Sequence, residues 1–176
     1  MQKNPHNTRL YWTQAAVIAA AYTALTLLAG ALGLAWGPVQ FRFSEALTIL
    51  PALTPAAIPG LTIGCLLSNF FSPQGPLDLI FGTLASFLAA VLTYWTRKVT
   101  LKGLPMLGAL WPVLINAVVI GALITFFIPD AEGTTTTFFV NAGFVGLGQL
   151  VCCVIGGLPL FAALRKTPVF SMNKEQ

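Results

Sequence analysis

The chain is 176 residues long, 56% hydrophobic and only 8% charged, with a mean hydropathy of +0.82. Soluble domains carry about 25% charged residues, so the composition excludes one; at about 20 residues per crossing the chain holds one bundle of roughly four to six membrane helices. The net charge of +4 is a topology signal rather than a nucleic-acid footprint, because Lys3 and Arg9 precede the first apolar run, Arg97, Lys98 and Lys102 separate two runs, and Arg165, Lys166 and Lys174 follow the last.

Those basic positions predict cytoplasmic N- and C-termini and place Asp130 and Glu132 outside. A cytoplasmic leader over residues 1–9 holds the single histidine, His6, which is read as a solvated residue. The apolar run that follows is too long for a cleaved signal and predicts a first helix over 10–36. On it Ala16, Ala20 and Ala24 recur every four residues, beside Ala15 and Ala19, giving a smooth ridge. By spacing alone the ridge serves equally for packing within the bundle or for docking another protein.

The stretch over 37–60, GPVQFRFSEALTILPALTPAAIPG, is the exception in a lipid-like sequence, with Arg42 and Glu45 among three prolines. A charge at the centre of a membrane helix costs about 2.5 to 3.5 kcal/mol on insertion scales, so it calls for a partner or a function. A connection, a short helix over 44–53, a Pro-bounded corner and a helix over 56–71 are expected here. SPQGP over 72–76 is a turn. Helices over 77–95, 104–127 and, after the loop DAEGTTTT, 138–164 complete the bundle, whose single domain spans 10–165 with a cytoplasmic tail over 166–176. Charge parity allows six crossings, or four with residues 44–71 as a re-entrant hairpin.

This topology gathers Arg42, Glu45, Asn69, Asp78 and Asn141 near the outer helix ends, with Asn116 and Gln149 deeper. The set describes a polar pocket open to the outside. Arg42 and Glu45, three residues apart, would share a helical face and pair; Asp78, just after the turn, would cap its helix or join the pocket. Among the aromatics at this level, Trp36, Phe41, Phe43, Phe70 and Phe71, an interfacial belt accounts for most. Phe41 and Phe43 flank Arg42 and are the better candidates for stacking on a flat ligand, and residues 36–43 are the expected gate. Cys65, Cys152 and Cys153 form no disulfide or metal spacing and are read as packing residues. With no phosphate loop, no catalytic triad and no metal-ligand spacing, neither an enzyme, a cofactor nor a metal site is expected.

The runs GPVQFRFSEALTILP, AIPGLTIGCLLSN, DLIFGTLAS and GLGQLVCCVIGGLPL together resemble the QueT family of queuosine-precursor transporters, the substrate-binding S components of energy-coupling-factor importers. The resemblance spans nearly all of residues 15–164. It implies an all-α membrane protein with six transmembrane helices in the bacterial plasma membrane, capturing a small molecule from outside. It also implies a transmembrane coupling protein and two ATPase subunits as partners, and gives the docking role to Ala16, Ala20 and Ala24. The chain departs from the family pattern at Gln149, where an acidic residue is frequent.

A deazaguanine suits these residues physically. Its adjacent ring N–H and amine are matched by a carboxylate, Glu45 or Asp78, and its carbonyl by Asn, Gln or Arg, which makes Arg42, Asn69, Asn116 and Gln149 candidates. Its flat face suits Phe41 as a lid. If the precursor carries an aminomethyl cation, the second carboxylate balances it. An S component for another vitamin-like compound, or a structural membrane protein whose charges only pair with one another, are the competing readings.

Overall fold

The computed structural model describes residues 5–36, 39–127 and 133–167, with side chains from residue 8 onward. Lys3, the His6 side chain, Asp130, Glu132 and Lys174 lie outside this set. Six helices follow in order: α1 (Pro5–Ala31), α2 (Phe43–Ala52), α3 (Ala57–Asn69), α4 (Asp78–Trp95), α5 (Met106–Phe126) and α6 (Thr135–Leu164). Four of them, α1, α4, α5 and α6, are long and apolar enough to cross a bilayer. The other two are short. α2 is a ten-residue 3₁₀ helix and α3 has thirteen residues, so at 2.0 and 1.5 Å per residue each extends only about 20 Å, less than a hydrocarbon core of about 30 Å.

Helix ends depart from the expected ones for local reasons. α1 begins at Pro5, inside the expected leader, and stops five residues before Trp36 because Gly33 adopts a left-handed conformation (φ +72°) that ends the helix. α6 starts three residues earlier than expected, because the Thr134 hydroxyl accepts a hydrogen bond from the Thr137 N–H at 3.1 Å and caps it. Pro51 lies inside α2 rather than ending it, and the corner falls at residues 53–56.

Small residues let the backbones meet. A Cβ at Gly60 would lie 2.8 Å from the Ala15 carbonyl oxygen, and one at Gly64 2.8 Å from that of Ala19. The α1–α3 contact is therefore built on the buried Ala15 and Ala19, while Ala16, Ala20 and Ala24 face outward and are exposed. Gly121 meets Ala142 across α5 and α6 in the same way. Pro112, in the middle of α5, has no N–H for the Gly108 carbonyl one turn back; the Thr93 hydroxyl of α4 donates to that carbonyl at 3.0 Å instead.

α2 is the centre of the bundle. It packs against all five other helices, with Ser44, Glu45, Thr48, Ile49, Leu50 and Pro51 buried. α4 and α6 each contain a wide π turn, at Asp78–Gly82 and Val151–Gly157. The second packs against α2 and the first against α3 and α5, and such turns occur preferentially at functional sites.

Candidate functional site

The polar residues of the chain converge where the connection over residues 32–42 returns into the bundle. Its path is set by two glycines. The Trp36 ring packs on Gly30, and the Gln40 backbone lies so close to Gly148 of α6 that a Cβ there would collide with the Gln40 carbonyl oxygen. The Phe41 N–H donates to the Leu34 carbonyl at 2.9 Å and closes the connection on itself. Arg42, the last residue before α2, is extended (φ −96°, ψ 108°).

That extended backbone corrects the expected Arg42–Glu45 pair. The two residues do not share a helical face, because Arg42 precedes the helix. Its guanidinium instead crosses to α4, where Nη2 donates to Asp78 Oδ2 at 3.1 Å in a fully enclosed ion pair. Nε donates to the Ala35 carbonyl at 3.2 Å and Nη1 approaches Asn69 Oδ1 of α3 at 3.4 Å. Asn69 completes the group by donating from Nδ2 to the Asp78 carbonyl at 3.0 Å. Asp78 makes no side-chain cap, and Gly82 gives it space: a Cβ there would come within 2.8 Å of both Asp78 Oδ1 and Asn69 Nδ2.

Glu45 forms a second group. Its Oε1 accepts the Tyr22 hydroxyl of α1 at 2.6 Å, and the Gln149 side chain of α6 faces the same carboxylate. The Cys153 thiol donates to the Glu45 carbonyl and to Gln149 Oε1, at 3.5 and 3.6 Å, tying α2 to α6. Gln149, expected deeper, therefore joins Glu45. Asn116 is buried in α5 without a hydrogen bond to either group among the described residues, and Asn141 donates to Thr125 at 3.0 Å on the α5–α6 contact. Phe41 is partly buried between two buried polar neighbours, Gln40 and Arg42. Phe70 and Phe71, about two-thirds exposed, belong to the outer surface, as an aromatic belt requires.

In these two groups the acceptors Glu45 Oε2 and Asp78 Oδ1 have no hydrogen-bond partner among the described residues, nor do the donors Trp36 Nε1 and Gln40 Nε2 of the connection. Others are at Gln14, Gln74 and Thr83. An unpaired buried polar atom costs about 1 to 3 kcal/mol, so each of these atoms calls for a partner that the described residues do not supply. Tyr22 and Gln40 were missed by the sequence reading. Tyr22 sits three residues after Ala19 on the face that packs against α3, and its hydroxyl in an apolar run was the available signal; for Gln40 it was the alternation with Arg42 across Phe41.

Residues 12–166 match the family described as QueT transporter. The chain belongs to the QueT transporter family. A relative named Queuosine precursor transporter QueT, from Lactococcus lactis subsp. cremoris (strain MG1363), is 38% identical over 73 residues, which cover 42% of this chain and 43% of the relative. The aligned stretch thus spans less than half of the curated relative's length. No solved structure matches the chain. With four helices able to cross a bilayer, this QueT member is a multi-pass protein of the bacterial cell membrane, and its family is one of transporters, not of enzymes.

Proposed function

We propose that the chain is the substrate-binding subunit of an ATP-driven importer that captures a queuosine precursor, a deazaguanine, at the Glu45 group. The observation that carries this reading is the Glu45 carboxylate. It is buried and oriented by Tyr22, yet has an oxygen without a partner, as a reader of adjacent ring N–H and amine donors requires. Oε1 retains a lone pair beside the Tyr22 hydroxyl, so both oxygens serve the ligand. Asp78 is held by Arg42 and Asn69, and its free Oδ1 suits a cationic substituent on the same ligand. Arg42 and Asn69 position Asp78 rather than touch the base. The family and the relative's name support the substrate class.

Orientation follows from charge. Arg97, Lys98 and Lys102 lie in the α4–α5 connection and Arg165 and Lys166 at the end of α6, opposite the end where residues 32–42 cover the site. The basic end is cytoplasmic, the termini with it, and the covered site opens outward. Six passes, with α2 and α3 as the short pair at the centre, fit this arrangement. The test is thermal unfolding of the purified protein with queuosine-precursor bases and with guanine. A ligand that binds only the native state raises the midpoint by mass action, so a shift with the deazaguanines is the expected result, largest for one carrying an aminomethyl cation and smaller for guanine, which offers the same edge without the cation. No shift with any base, from a folded sample, refutes the reading.

The exposed row of Ala16, Ala20 and Ala24 is the proposed docking face for a transmembrane coupling protein that two ATPase subunits drive. Small side chains on an outward helix face allow close approach of a partner helix. Ala20→Trp is expected to reduce recovery of the complex at least roughly tenfold, because an indole on that face separates the helices. Deazaguanine binding by the isolated chain should be unchanged, since the row does not touch the Glu45 group. Pull-down with the coupling protein measures the first effect and the thermal shift the second; an intact complex removes the row from the interface.

A further inference from the structure

We infer that Gln40 is the specificity-determining residue that reads the carbonyl of the captured base, an inference that rests on the deazaguanine reading of the Glu45 group. The guanidinium and the amide that surround Asp78 have their donors engaged. All three nitrogens of Arg42 are directed at Ala35, Asn69 and Asp78. Asn69 gives its amide to the Asp78 carbonyl and to the Cys65 sulfur. Gln149 faces the Glu45 carboxylate and accepts from Cys153, and Asn116 stands apart on α5. Gln40 is different: the residue is 1% exposed and its Nε2 has no partner among the described residues.

Its position suits the role. The Gln40 backbone rests on Gly148, whose neighbour Gln149 faces Glu45, and Cys153 one turn later bonds the Glu45 carbonyl. Gln40 and Glu45 therefore lie along the same stretch of α6. In a guanine-type base the carbonyl adjoins the ring N–H, which in turn adjoins the amine. A donor beside a carboxylate is the complement of that edge. Trp36 Nε1 is also unpartnered, but its ring is set on Gly30 of α1, on the other side of the connection.

A site built to hydrogen-bond a group rejects an analogue that cannot supply it, because the buried polar atom is left unpaired. The wild-type protein should bind 7-deazaguanine and discriminate roughly tenfold against 7-deaza-6-thioguanine, which keeps the ring N–H and the amine and puts a weaker acceptor where the carbonyl was. Gln40→Met, similar in volume but without the amide, should abolish that discrimination and weaken 7-deazaguanine roughly 10- to 100-fold, while the ligand-free midpoint stays equal or rises. Gln40→Glu, which sets an acceptor against the carbonyl, should weaken 7-deazaguanine more than Gln40→Met does and should likewise lose the preference over the thio base. Binding of both probes to the full chain in detergent, by thermal shift and calorimetry, reads all three proteins. If both variants keep the wild-type preference while Glu45→Gln loses binding, Gln40 is not the reader and the Glu45 site stands. If the wild-type protein binds neither probe, both readings fall.

Discussion

Glu45→Gln should leave the fold intact and lower deazaguanine affinity by about 30- to 1,000-fold. Glutamine keeps the volume of the side chain and an oxygen for the Tyr22 hydroxyl, so the buried contact between α1 and α2 survives. The ligand-facing oxygen becomes an amide that donates toward the donors of the base. Hydrogen bonds to charged groups contribute about 1.5 to 3 kcal/mol, and opposing donors add a penalty; about 2 to 4 kcal/mol at 1.4 kcal/mol per tenfold gives that range. Alanine is a less clean probe because it also orphans the Tyr22 hydroxyl. Calorimetry against 7-deazaguanine, with the ligand-free midpoint as the folding control, measures both quantities. An unchanged affinity would remove Glu45 from the site.

Asp78→Ala is expected to have the largest effect on stability. It leaves the Arg42 guanidinium, 4% exposed, without its counter-charge inside the bundle. Breaking a buried ion pair from one side costs about 3 to 5 kcal/mol, whereas removing both charges together is often neutral. The single variant should therefore lose most of its folded yield, and Arg42→Met combined with Asp78→Ala should recover much of it. Thermal unfolding across the four proteins of the double-mutant cycle gives the coupling; additive effects would show that the pair does not hold α4 to the connection.

The sequence was most legible where composition and periodicity act over long stretches. Apolar length placed the four long helices to within about five residues, and of Pro51 and Pro55, which suggested a corner, Pro55 lies in it at residues 53–56. The polar set was legible as a list; Arg42, Asn69 and Asp78 form one group and Glu45 and Gln149 belong to another. Its pairing was not. Three-residue spacing implied an Arg42–Glu45 bond only if Arg42 was helical, and a tertiary partner 36 residues away overrode that local rule. Asn116 looked equivalent to Gln149 because depth along a helix is visible in sequence while rotation about its axis is not. The π turns explain part of this difficulty: Asp78 and Cys153 both lie within segments where the regular 3.6-residue phase is broken, so any wheel drawn through them misplaces one side.

The same irregularity in α6 fixes how that helix can change in length. An i→i+5 turn holds one residue more than the helix around it, so the residues beyond Gly157 run about 100° out of phase with those before Val151. The early part presents Gly148 and Gln149 to residues 40–45, and the late part presents Leu158 and Phe161 to the cluster around Ile49 and Ala109. Losing a single residue between 151 and 157 would let the wide turn close to a regular one with both surfaces kept in place, whereas a loss within 142–150 would swing the early surface by about 100°. The wide turn is thus the one stretch of α6 that can give up a residue without rotating the helix on either side of it.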